Sequence, residues 1–228
     1  MRITKLFFLV LFGLASNLLF SQGHANLRFG LTFPQGKFSD DDRENFMFTT
    51  LGAGTGFHIG LDYDYRFKGS GLGVFGGVDF HYNPLKRSIK DDIEDEAETF
   101  DDYTYQKYFN IPITGGLFYT FDVNDNVSLI LRGGLNYNIL IISPFEYINT
   151  EYEEEGTINF STTSKIGFRL GGGLIIQGKY LVQFNYFGLG KYNIPIEVVE
   201  DYDGNRDVYK WRIKTRINYL SIGVGVRF

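Results

Sequence analysis

Few residues in this 228-residue chain could carry chemistry, and those that could sit inside alternating apolar–polar runs. His58 and His81 share such runs with Asp62, Asp64 and Asp79. An imidazole within reach of a carboxylate is the acid–base part of a hydrolytic set, so a lipid-modifying enzyme is one reading of the group. A satisfied polar core is the simpler one. His24 has no evident partner, and neither a G-x-S-x-G elbow nor an H-E-x-x-H zinc helix occurs. No catalytic residue and no cofactor is assigned on these grounds.

Asp201, Asp203, Asn205 and Asp207 space oxygen ligands two apart, as calcium loops do. Gly204 falls at the fourth position where an EF-hand needs it at the sixth, and Arg212 stands where the closing Glu belongs. A solvated turn fits these residues better than a metal site. The glycines at Gly171, Gly172 and Gly173, and at Gly223 and Gly225, match no nucleotide fingerprint; they suit close inner packing of strands. The absence of cysteine excludes disulfides, thiolate metal sites and a lipid-anchored N-terminus. A net charge of -5 argues against a nucleic-acid partner, which calls for a basic surface.

The elements that hold these residues are strands. In the last stretch, Leu220, Ile222, Val224, Val226 and Phe228 fall on one side of an extended chain, with Tyr219, Ser221, Gly223, Gly225 and Arg227 on the other. The same alternation predicts seven earlier strands: one over Leu27–Phe33, then runs at about Gly54–Phe67, Leu72–Tyr82, Tyr108–Phe121, Val127–Ile139, Lys165–Ile176 and Tyr180–Tyr192. Short turns follow the second, fourth and sixth. Long connections span about 34–53, 84–107, 143–163 and 193–213, and 22 of the 27 acidic residues lie in them. Strictly alternating short and long connections with an even strand number are the pattern of a bacterial outer-membrane barrel. A lipocalin has the same strand count with its faces reversed, but the one-sided long loops and the terminal aromatic argue against it.

The expected fold is therefore all-β: an eight-stranded antiparallel up-and-down transmembrane β-barrel preceded by a cleavable signal peptide. Arg2, Lys5 and the apolar run Leu6–Phe20 form the leader, with cleavage after Ser21, so residues 1–21 are signal and 22–228 barrel. A mean hydropathy of -0.13 does not oppose this, because alternating strands dilute their apolar residues. The aromatics are 23 Phe and 16 Tyr against one Trp, in keeping with interfacial girdles. Inward faces carry Arg28, Asp62, Asp64, Arg66, Asp79, Arg132, Lys165, Arg169 and Arg227. In a barrel this narrow, these charges must pair, so salt-bridge layers are expected rather than an ion-conducting lumen.

Tyr108-Phe-Asn-Ile-Pro-Ile113 and the terminal Asn218–Phe228 carry a likeness to a known group. With them the chain resembles the small outer-membrane β-barrel family of the Bacteroidota, the PorT-like group related in architecture to the OmpA transmembrane domain. The Ser21-Gln22 junction is similar to that of secreted proteins of those bacteria. The resemblance implies location in the outer membrane, outer-membrane lipids as surroundings, and a C-terminal strand, with Tyr219 and Phe228, read by the barrel-assembly machinery. The family is functionally mixed, and one branch serves protein secretion; no residue here selects that branch, so no functional site carries over. The expected function is a non-enzymatic barrel whose acidic loops bind a surface partner or whose body supports an envelope assembly, with a narrow solute channel as the alternative.

Overall fold

Period-two alternation with β-branched and aromatic residues carries the backbone into strands over most of its length. The computed structural model describes residues 23–41, 51–96, 102–149, 154–202 and 205–228. The leader at 1–21 lies outside the described residues. The strands are β1 (Gly23–Gln35), β2 (Gly56–Arg66), β3 (Leu72–Pro84), β4 (Asp102–Thr104), β5 (Lys107–Asn124), β6 (Val127–Ile142), β7 (Phe145–Asn149), β8 (Glu154–Phe160), β9 (Thr163–Ile176), β10 (Tyr180–Tyr202) and β11 (Asn205–Arg227). An α-helix, α1 (Arg87–Glu96), stands between β3 and β4. Among the described residues no helix is long and apolar enough to cross a membrane.

All pairings are antiparallel. They run β1–β2, β2–β3, β3–β5, β5–β6, β6–β9, β9–β10 and β10–β11, and β11 pairs back onto β1 from Asn26↔Arg227 to Gln35↔Asn218. The closure is uneven. β10 meets β9 only from Tyr180 to Gly188 but accompanies β11 from Tyr180 to Tyr202, and β8, β7 and β4 extend the sheet sideways from the far part of β10. The β3–β5 ladder skips the rungs opposite Ile111 and Pro112, where proline has no N–H to give.

The described sheet thus has eleven strands where the alternation predicts eight. The segments expected as loops hold the difference. Connection 84–107 contains α1 and β4, connection 143–163 contains β7 and β8, and 193–213 is the upper part of the β10–β11 hairpin. In the 193–213 hairpin the phase of β10 changes at a bulge, Gly188/Gly190. Before it, Leu181, Gln183, Asn185 and Phe187 face inward; after it, Tyr192, Ile194, Ile196 and Val198 do. A constant-phase reading loses the strand at that change.

Above the bulge the inward residues form an apolar crown. Phe38, Leu51, Leu85, Ile89, Leu140, Ile142, Phe187, Leu189, Tyr192, Ile194, Ile196, Val198, Ile213 and Ile217 pack together, and Ile93 of α1 lies against them. The Tyr108 hydroxyl donates to the Leu51 carbonyl and so ties the segment after β1 to β5. Asp41 accepts hydrogen bonds from Ser88 Oγ at 3.1 Å and Lys86 Nζ at 3.3 Å, which hold its carboxyl below the ordinary range.

Gly190 sits at φ +98°, a conformation that side-chain-bearing residues rarely adopt. Gly190→Val is expected to lower stability by about 1–3 kcal/mol. The check is the urea midpoint of the folded, fast-migrating species on unheated gels.

Candidate functional site

The interior is layered, and β3 shows the layers in order. Its inward side chains are Phe75, Asp79, His81 and Asn83, and the chain then reaches Leu85, which belongs to the crown. Nearest the short turns, Phe75, Phe118, Ile130, Ile175 and Leu181 form a small apolar cluster. The alternation gave no hint of it, because these apolar residues occupy the face expected to be polar. Their signal was the large inward residue on strands already assigned.

Above that cluster lies the charge layer. Arg28 Nη2 donates to Asp62 Oδ1 at 2.9 Å and to Asp79 Oδ1 at 2.8 Å. Arg132 donates to Asp62 Oδ2 at 2.6 Å and to Asp64 Oδ2 at 2.5 Å. Arg169 Nη1 reaches Asp62 Oδ1 at 3.3 Å and Asp79 Oδ2 at 3.5 Å, while its Nε donates to Asn185 Oδ1 at 3.1 Å. Asn26 Nδ2 also donates to Asp64 Oδ2, at 2.9 Å. Three arginines face three aspartates, and each of the six side chains is at most 2% exposed. Phe75 lies beneath two of the cations, with Arg132 and Arg169 at 5.3 and 5.6 Å from its ring centre. A Cβ at Gly60 would come within 2.1 Å of Asp79 Oδ1, and one at Gly77 within 2.1 Å of Asp62 Oδ1. Glycine at these two places makes the layer possible.

His58 and His81 stack at 5.3 Å in the next layer, and His81 also lies 4.5 Å from Tyr219 and 5.1 Å from Phe187. Neither His81 nitrogen nor His58 Nδ1 has a hydrogen-bond partner, so no carboxylate orients either ring as a general base needs. Asn83 donates to Thr32 Oγ1, and Asn138 donates to Asn110 Oδ1 and to the Tyr192 hydroxyl, forming an amide layer below the crown. The arrangement binds its own charges to one another.

Three expected members lie apart. Arg66 is at the short-turn end, donating to the Ser70 carbonyl at 2.7 Å and pairing with Asp122 at 3.6 Å. Lys165 is exposed, since β9 outlasts β10 as its neighbour there. Arg227 is half-buried at the end of β11, where its backbone N–H donates to the Lys179 carbonyl. Tyr219 is fully buried and stacks on Phe187 at 4.9 Å, whereas Phe228 is 72% exposed with its backbone paired to Ala25. Asp201, Asn205 and Asp207 lie on the paired strands of the β10–β11 hairpin, with Asp201 opposite Arg206 and Asp207 opposite Glu200; Asp203 lies outside the described residues. Among the described residues no group of three acidic, His or Cys side chains is placed to hold a metal.

No family model matches the chain, and no curated protein matches it. Among solved structures, a major outer membrane protein from Thermus thermophilus is similar over 91% of this chain and 100% of its own, at 15% identity and a TM-score of 0.53. The outer membrane protein OprG from Pseudomonas aeruginosa aligns over 91% and 96% of the two chains at 15% identity and a TM-score of 0.48. Neisserial surface protein A aligns over 91% and 98% at 17% identity and a TM-score of 0.43. The Thermus likeness shows the fold, an up-and-down antiparallel sheet of the outer-membrane β-barrel type.

Removing one partner of a buried charge network leaves the others unpaired. Asp62→Asn is expected to cost about 3–5 kcal/mol, while Arg66→Gln is expected to change stability by under about 1 kcal/mol. Urea titration of the refolded proteins, followed by gel mobility, measures both.

Proposed function

We propose that this chain is a non-enzymatic outer-membrane protein: an eight-stranded transmembrane barrel, exported by a cleaved leader. In this reading, its crown faces the outside of the cell and engages a surface or envelope partner. One observation carries it, the inversion of polarity. Phe29 is 62% exposed, Leu135 68% and Ile166 72%, and the outward residues around the ring share their character, while the ions are sealed inside. Water would penalise that arrangement, and hydrocarbon favours it. The outward stripe of the paired strands bears no charge between the short turns and the crown, as the cost of a midplane Lys or Arg requires.

The filled layers support a closed body rather than a solute channel, and the PorT-like group is the family we assign it to. Of the two C-terminal aromatics, Phe228 is the one positioned to be read by the assembly machinery, because Tyr219 belongs to the interior. The crown is built like a binding platform. Its sheet β11-β10-β8-β7-β4 presents exposed Ile148, Val208 and Tyr209 among acidic residues.

The full-length protein is expected to stay in solution only with detergent or lipid, to migrate differently when heated, and to leave a planar bilayer silent. Solubility without detergent would sink the membrane assignment, and reproducible conductance steps would overturn the closed interior. Photo-crosslinkers at Ile148 and Tyr209 in intact cells are expected to trap one abundant partner; their failure would make the barrel self-standing.

A further inference from the structure

A cavity of about 750 Å³ opens on the outside of the sheet where β1 leaves β11. It is lined by Lys37 in the turn after β1, Lys191 and Asn193 on β10, and Lys214, Arg216 and Asn218 on β11. Lys191 stands directly opposite Arg216 across the ladder, and Asn193 opposite Lys214. Like charges paired across strands repel. Among the described residues, none of the four cations has an acidic partner. Farther up the same ladder the treatment differs: Lys210 meets Glu197 at 2.6 Å. Lysine on a free strand edge discourages pairing with other chains, and that accounts for Lys214 and Arg216 on β11. It does not account for Lys37, which lies in the turn off the sheet.

The position of the cavity says what would fill it. Along β11 the outward residues run Val224, Ile222, Leu220, Asn218, Arg216, Lys214. Along β10 they run Val182, Phe184, Tyr186 and, past the bulge, Lys191. Along β1 they run Phe29, Leu31, Phe33 and Gln35, and Lys37 follows in the turn just beyond. On β10 and β11, and in the turn that ends β1, the apolar face gives way to cations at one level. An occupant that satisfies both sides carries acyl chains below that level and anionic oxygens at it.

We infer that this cavity binds the phosphorylated headgroup of a lipid in the surrounding leaflet, with Lys37, Lys191, Lys214 and Arg216 around the phosphate. The inference rests on the membrane reading above. Phosphate oxygens would offset the repulsion of the Lys191–Arg216 rung, and Arg216 can engage them through two parallel N–H groups. Asn193 and Asn218 supply neutral donors at the rim. Attraction at this exposed boundary weakens with salt.

The test uses the full-length protein in neutral detergent, titrated with bisphosphorylated lipid A, with the same lipid after phosphate removal, and with inorganic phosphate. Native mass spectrometry counts bound molecules. One tightly held phosphorylated lipid is expected, with at least tenfold weaker retention of the dephosphorylated form. Lys191→Gln/Arg216→Gln is expected to lower retention at least tenfold, while Lys210→Gln leaves it unchanged. Heat-modifiable migration verifies that each variant is folded. Equal retention of the two lipids, or retention unaffected by the double variant, would overturn the inference. Inorganic phosphate binding as tightly as the lipid would assign the cavity to a free anion and overturn the lipid. A protein soluble without detergent would instead fail the membrane reading, a separate outcome.

Discussion

Asp62 accepts hydrogen bonds from arginines on three different strands, Arg28 of β1, Arg132 of β6 and Arg169 of β9. Buried ions this far from solvent are tolerable only when each is met by an opposite charge and by further hydrogen bonds. That requirement fixes much else. It sets the register of β2 against β1 and β3, because Asp62, Asp64 and Asp79 must point at the same level. It demands glycine at Gly60 and Gly77, where a side chain would displace the carboxylates. It also draws opposite walls together, since no neighbouring pair of strands holds the whole set.

The remaining layers follow from the ends of that one. Toward the short turns, Phe75 lies under two of the guanidinium groups and joins the small apolar cluster. Toward the crown, the histidines and Tyr219 separate the ions from an amide layer, and the amides from aliphatic residues. Polarity therefore falls away on both sides of the charges. The interior is filled by type rather than by a continuous polar column.

Most of the ring was legible in the sequence because its code has period two. Phe29, Ile59, Leu135 and Ile166 announce the outer face, and Arg28, Asp62 and Arg169 the inner one. The crown was not legible, for a definite reason. At Gly188/Gly190 one extra residue reverses which parity points inward, so Ile194, Ile196 and Val198 appear on the side that the earlier part of β10 assigns to the exterior. The charges on that exterior, Lys191 and Lys214 among them, then resembled a loop. The inner cluster of Phe118, Ile130 and Ile175 escaped because alternation reveals contrast between faces, and there both faces are apolar. The grouping of the acids with Arg28, Arg132 and Arg169 could be foreseen from valence, whereas the departure of Arg66 depends on its place near the Ser70 turn.

The charge layer is neutral only when it is complete. The first three strands contribute one arginine and three aspartates, a balance of −2, while β6 and β9 contribute two arginines, a balance of +2. In the membrane reading, a chain inserted hairpin by hairpin would carry one uncompensated charge with β1–β2 and two with β3–β5, until β6 and β9 arrive. Such a sequence of steps would be penalised until the set is neutral, and joint entry of the two halves would be favoured. Their opposite balances also give the early and late hairpins an attraction for each other before any hydrogen bond joins β11 to β1. In that reading, the same aspartates that hold the finished molecule would also bias the path by which it is made.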